Sequence, residues 1–331
     1  MFFAGKISIK KCPLTRVSTL FLILAFGAMP DSAVSQFSGH NSKGDYGMFS
    51  GTQSPPGWYL AAPMFYRYSA PEFRDRNGDP QTAIEHGGST EANALLLGAI
   101  WVSEHKVLGG NYSFVVFPGV TNNALGFPPT GVDTQTSSGL ADLYVQPINL
   151  GWTTSRADFI AGVGVFAPTG EFEAGGESNR GLGMWSYELF AGTTLYFDEA
   201  RTWSFAATAF YETHGKKDGT DIRVGDILTL EGGLGKSFMQ GAASAGIAYY
   251  GQWKISDDDF GVELPTLPNR RLGRNRVFGI GPELTVPLAT KKTLYGFLNL
   301  RYFWETGARS ALQGNTFVAT MSFPVPSIPL P

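Results

Sequence analysis

The sequence predicts an all-β protein, an antiparallel transmembrane β-barrel of about twelve strands with long extracellular loops and short periplasmic turns. Three observations carry that reading. Aromatic residues at 14% and 42 glycines, with only 16% charged residues, describe a chain of many strands and turns. The mean hydropathy of −0.05 is too polar for a helical membrane protein, and after the leader no run of about 18 apolar residues offers a transmembrane helix. Long and short connections alternate along the whole chain, as a membrane barrel with both termini on the periplasmic side requires.

Residues 1–35 read as a signal peptide, because Lys6, Lys10, Lys11 and Arg16 flank or precede an apolar run from Val17 to Ala28 that is too short to span a bilayer. Ala33-Val34-Ser35 ahead of Gln36 fits the small-residue cleavage rule, with Ala25-Phe26-Gly27 as a second option. The single cysteine, Cys12, falls in this leader, so the mature chain has no disulfide and no thiolate metal site. Without the leader, 21 basic side chains face 27 acidic ones, a net charge of −6 that speaks against a nucleic-acid partner.

Residues 36–57, rich in Gly, Ser and Pro, form an N-terminal segment that is either periplasmic or lumenal. The barrel follows over 58–325, with strands at 58–68, 91–103, 110–118, 139–151, 155–167, 183–197, 201–213, 222–236, 241–254, 274–289, 293–305 and 314–325. In the eleventh, Leu294, Gly296, Leu298, Leu300, Tyr302 and Trp304 share a face suited to lipid; Thr293, Tyr295, Asn299, Arg301 and Glu305 share the other. The fifth, sixth and seventh strands split the same way, with Phe159, Leu189 and Phe205 on the outward side. Long loops are expected at 69–90, 119–138, 168–182, 214–221, 255–273 and 306–313, and short turns at 104–109, 152–154, 198–200, 237–240 and 290–292. Residues 326–331 form a C-terminal tail beyond the last aromatic, Phe323.

Inward parity picks out Arg156, Asp158, Glu188, Glu231, Gln252, Glu283, Asn299 and Arg301 as lumen-lining residues, because a lumen must hydrate or pair its charges. The same residues could close a small barrel by packing. Phe210, Tyr196, Tyr250 and Phe303 also point inward, as a greasy path or as packing. No catalytic set is expected: of His40, His86, His105 and His214, only His214 lies by a strand end, beside Glu212 and Thr213. Asp257-Asp258-Asp259 with Glu263 lacks the spacing of a calcium loop and reads as solvated charge. No glycine-rich phosphate loop with a Lys and a hydroxyl follows a strand, so no nucleotide, cofactor or metal is expected.

Several stretches, in consistent order, resemble the bacterial outer-membrane family named for the meta-pathway of phenol degradation. They are Gly139-Leu140-Ala141-Asp142-Leu143, Phe166-Ala167-Pro168-Thr169-Gly170-Glu171-Phe172, Asp226-Ile227-Leu228-Thr229-Leu230-Glu231, Tyr250-Gly251-Gln252-Trp253 and Gly279-Ile280-Gly281-Pro282-Glu283. The resemblance implies a Gram-negative outer-membrane barrel linked to uptake of aromatic or other hydrophobic small molecules. The expectation is a passive channel rather than an enzyme, in contact with membrane lipid and lipopolysaccharide. The alternative is a structural or surface-interaction barrel with a closed lumen, and an outer-membrane lipid hydrolase ranks third.

Overall fold

The computed structural model describes residues 38–80, 89–127, 132–174, 176, 179–261 and 274–329. The leader, His86, Glu263 and the end of the tail lie outside them. In chain order the strands are β1 (Gly57–Arg74), β2 (Ser89–Val107), β3 (Gly110–Phe117), β4 (Gly119–Phe127), β5 (Val132–Gln135), β6 (Gly139–Leu140), β7 (Leu143–Thr153) and β8 (Ala157–Ala167). They continue as β9 (Ser186–Tyr196), β10 (Trp203–His214), β11 (Ile227–Phe238), β12 (Ala243–Lys254), β13 (Arg276–Ala289), β14 (Thr293–Arg309), β15 (Ala311–Val325) and β16 (Ile328–Pro329).

Twelve of these strands close a barrel: β1 pairs with both β2 and β15, and the antiparallel neighbours run unbroken from β15 back through β7 to β3 and β2. Closure leaves no edge whose N–H and C=O groups would face hydrocarbon without a partner. β4, β5, β6 and β16 are extra. β4 continues β3 past Pro118 and pairs with the first half of β2, from Ser89↔Gly126 to Leu96↔Gly119. The expected loop at 119–138 is therefore largely strand.

The expected long connection at 306–313 is also strand. β14 runs to Arg309 and β15 starts at Ala311, because Arg309 pairs with Arg276 of β13 and Ala311 with Arg74 of β1. Only Ser310 turns, with φ 48°. At the other end Leu108 and Gly109 make a two-residue hairpin with φ 51° and 81°, the left-handed pair that such turns need.

Side-chain parity separates two faces. On β9, Tyr187, Leu189 and Leu195 stand outward while Ser186, Glu188, Phe190, Thr194 and Tyr196 are buried. On β10, Trp203 and Tyr211 stand outward while Ser204, Thr208, Phe210 and Glu212 are buried. Exposed aromatics gather at both ends of the belt: Trp185, Tyr187 and Trp304 toward the long loops, Trp58, Phe197, Trp203 and Phe238 toward the short turns. Such girdles match the two interfaces of a bilayer. β14 departs from strict alternation: a register shift opposite Leu288 and Ala289 leaves Tyr295 exposed and Gly296 buried, reversing the expected faces at the start of that strand.

Candidate functional site

Residues 38–56 run lengthwise through the barrel as a strap. At the long-loop end His40 places Nε2 2.8 Å from Asp142 and Nδ1 2.7 Å from Ser186 Oγ, with its ring stacked on Phe166. At the short-turn end Thr52 donates to Asp158 at 3.0 Å and Gln53 Nε2 to Ser113 Oγ at 2.9 Å. A segment with no sheet partner would bury unpaired N–H groups. Here carboxylates of the wall accept them. The backbone N–H groups of His40 and Asn41 donate to Glu212 at 2.7 and 3.1 Å, those of Gly44 and Tyr46 to Glu231 at 2.8 Å, and that of Met48 to Glu283 at 2.8 Å. Such charge-assisted bonds are about twice as strong as neutral ones.

The strap's composition follows from this fit. A Cβ on Gly51 would come within 2.1 Å of the Thr193 carbonyl carbon, and Gly44 holds φ +88°. In return, the wall is notched where the strap is bulky: Met48, fully buried, rests against Gly233, Gly235 and Gly246, where any Cβ would meet its side chain at 2.9 Å or less. Lys43 reaches across to Glu305 at 2.8 Å and lies 4.6 Å from the centre of the Tyr68 ring.

Of the residues singled out by parity, Asp158, Glu188, Glu231, Gln252, Glu283, Asn299 and Arg301 face the interior. Glu188 accepts from Tyr144 Oη at 2.5 Å and from Asn41 Nδ2 at 2.8 Å. Gln252 donates to Thr229 and to the Asn41 carbonyl, Asn299 to Glu283 at 2.8 Å, and Arg301 to the Gly44 carbonyl at 2.8 Å. Arg156 does not join them. It precedes β8, half exposed, and donates to the Phe197 carbonyl at 2.9 Å. The interior place at that height belongs to Arg201, which pairs with Asp158 and covers the Tyr196 ring at 3.9 Å.

Parity places Glu212 and Glu305 on the inward face, but the expected lumen-lining set leaves them out; it also leaves out Asp142, which lies between β6 and β7, and His40, Lys43 and Asp45, which precede the strands. The run of glycines at 39, 44, 47 and 51 was the available signal for a segment in close contact with something. Asp142, His40 and Ser186 lie in line as in a hydrolytic relay. Ser186, however, is fully buried, so the trio anchors the strap.

A cavity of about 500 Å³ remains beside the strap. Met64, Leu96, Ile100, Val115, Phe117 and Ile160 form its apolar wall; Asp45, Tyr46 and Ser50 of the strap, with Tyr144, Gln146 and Glu188, form the polar side. The inward aromatics Phe210, Tyr196, Tyr250 and Phe303 are buried as expected but pack elsewhere. Phe210 packs at a tilt between Phe190 and Tyr46, and Tyr250 lies 5.0 Å from Phe303, with its hydroxyl donating to Glu305. The cavity wall is thus mainly aliphatic.

The loops form a cap at the His40 end. Among the described residues the acidic run does not converge on a cation site: Asp258 accepts from Lys254 and the Gly225 N–H, Asp257 pairs with Arg274, and Asp259 exchanges backbone bonds with Arg223. His214 is buried between Glu212 and the Val224 carbonyl. Burial would raise the Asp142 carboxyl, but the hydrogen bond and charge of His40, with the N–H groups of Leu182 and Gly170, hold it below its ordinary value. Lys217 donates to the Leu182 carbonyl at 2.6 Å over the Phe172 ring. Burial brings its ammonium down to about 8, an effect opposed by Asp142 and reinforced by Lys254.

A family model described as "Putative MetA-pathway of phenol degradation" matches residues 74–321. Among solved structures, an outer-membrane channel from Pseudomonas putida F1 is similar in fold, with a TM-score of 0.68 and 13% identity over 86% of this chain and 99% of that one. The β domain of the Bordetella autotransporter BrkA is more distant, with a TM-score of 0.43 and 13% identity over 80% and 99% of the two chains. No curated protein matches in sequence.

Proposed function

Because the chain belongs to the family described as the MetA pathway of phenol degradation, we propose that it is an outer-membrane channel for passive uptake of small hydrophobic or aromatic molecules. The observation that carries this reading is the cavity of about 500 Å³ with an aliphatic wall, set between the strap and the barrel. A cavity of this size holds one small ring compound, and its wall offers the solute an environment like the one it leaves in lipid. The similar fold of an outer-membrane channel supports the same reading. The outward apolar face with its two aromatic girdles fits contact with lipid and with lipopolysaccharide. No chemical step is assigned: transport follows the concentration gradient.

The strap and the interior carboxylates set the route. Glu212, Glu231 and Glu283 are held by backbone N–H groups of the strap, and Arg301 is tied to its Gly44 carbonyl, so these residues line the lumen by fixing the strap. The solute passes along the free side, between Ile100, Val115 and Ile160 and the strap.

Accumulation of labelled benzyl alcohol by whole cells with an intact lipopolysaccharide layer tests the proposal. Cells carrying the protein should accumulate it faster than cells without it, and Ile160→Trp, which fills the cavity, should remove the difference. Equal accumulation in all three, with no binding to the purified protein, would leave a closed structural barrel as the reading.

A further inference from the structure

Three ion pairs neutralise part of the interior: Lys43 with Glu305, Arg301 with Glu283, and Arg201 with Asp158. His40 and His214 serve Asp142 and Glu212. Asp45, Glu188 and Glu231 are left. Among the described residues none of these three has a Lys, Arg or His partner at ion-pair distance. Glu231 is covered by two strap N–H groups. Glu188 has only neutral donors, Tyr144 and Asn41. Asp45 has a buried Oδ1 with no hydrogen-bond partner.

Asp45 and Glu188 both line the cavity, opposite its aliphatic wall. The polar side also offers open acceptors: Asn41 and Asn149 line the same cavity, each with a buried carbonyl oxygen that has no partner, while the two arginines on its lining are committed elsewhere, Arg180 to Glu171 and Arg301 to Glu283. A solute that presents hydrogen-bond donors and positive charge would satisfy acceptors that the protein leaves open. A carboxylate would add a further acceptor and a like charge in a medium of low dielectric.

Resting on the channel reading above, we propose that the cavity is a selectivity site for small molecules with an apolar body and a cationic, hydrogen-bond-donating head, typically a primary amine, and that it rejects carboxylates of the same shape. Asp45 and Glu188 are the specificity-determining residues: the ammonium sits between them while the ring lies on Met64, Ile100 and Val115. Rings of carboxylates confer the same preference in cation-selective pores.

Benzylamine, benzyl alcohol and benzoate share one ring and differ in the head, so they separate the two readings when titrated at pH 7 into the full-length protein in lipid nanodiscs. Benzylamine should bind at least roughly tenfold more tightly than benzoate, with benzyl alcohol between them. Glu188→Gln keeps an acceptor for Tyr144 and Asn41, and it should cut the amine-to-benzoate ratio severalfold. Asp45→Asn should do the same. If benzoate binds as well as benzylamine to the unmodified protein, the charge selectivity is wrong and the channel reading stands. If none of the three binds, the channel reading fails, and this one with it. The comparison in the unmodified protein decides the matter even if a variant does not assemble.

Discussion

At the scale of single residues, the interior shows how a polar side chain acquires a place. Glu231 has two oxygens and the strap brings it two N–H groups, so Glu231→Ala would strand both donors inside the barrel. Each unsatisfied buried donor costs about 1–3 kcal/mol. The strap should therefore loosen, and a protease site inserted near Gly44 should become cleavable in the variant but not in the parent. Lys217 gives a pH dependence of known sign. Its ammonium falls from an ordinary 10.5 to about 8 in the folded cap, so between those values the unfolded loop holds a proton that the folded loop lacks. Stability of the cap should rise with pH across that window, and the full penalty should be present below it. Limited proteolysis of the loops from pH 7 to 10 should slow with pH, and Lys217→Met should flatten the profile.

Residue identities inside strands were legible from the sequence because parity alone fixes the side: Asp158, Glu188, Glu231, Glu283 and Arg301 all turn inward. Arg156 was misplaced because parity cannot say where a strand stops, and β8 starts one residue later at Ala157. The strap partners were illegible for a different reason. His40 and Lys43 owe their positions to contacts more than a hundred residues away in sequence, and an irregular segment such as the one that holds Asp45 has no period to read.

At the scale of elements, the strands behave as lipid-spanning rather than soluble ones. Leu189 stands outward in the middle of β9, and Trp185 stands outward at its end. A charge at mid-bilayer costs about 2–4 kcal/mol against about 0–1 near an interface. Leu189→Arg should therefore block assembly, read as loss of the heat-modifiable band, where Trp185→Arg should not. Equal effects would remove the membrane from around β9. The two expected loops that are largely strand among the described residues, 119–138 and 306–313, share a cause. Their polar composition reads as loop, but above a bilayer a ribbon needs no apolar face, only neighbours for its hydrogen bonds, and β2, β13 and β1 supply them.

At the scale of the whole molecule, the two ends differ. Asn77 and Asp221 are exposed at the long-loop end and Lys291 at the short-turn end. Cysteines placed at the first two should react with an impermeant thiol reagent on intact cells, while one at Lys291 should not. The strap joins the two ends, and among its glycines Gly51 lies nearest the backbone of the wall. Gly51→Val should unseat it and raise single-channel conductance in planar bilayers without loss of the barrel. Unchanged conductance would mean that the strap does not govern the width of the route.

The strap also constrains the order of events during biogenesis. It precedes β1 in the chain, yet its partners lie on β9, β10, β11, β13 and β14, and the seam between β1 and β15 joins the two ends of the sheet. A finished cylinder could be entered only by threading, whereas a sheet still open at that seam can curl around a segment already lying across it. The strap then works as a mandrel: it offers N–H groups to carboxylates that would otherwise repel one another while the wall bends. Contacts this distant in sequence are slow to form, so a chain lacking residues 38–53 should reach the same number of strands but close more slowly, with the delay confined to the final step.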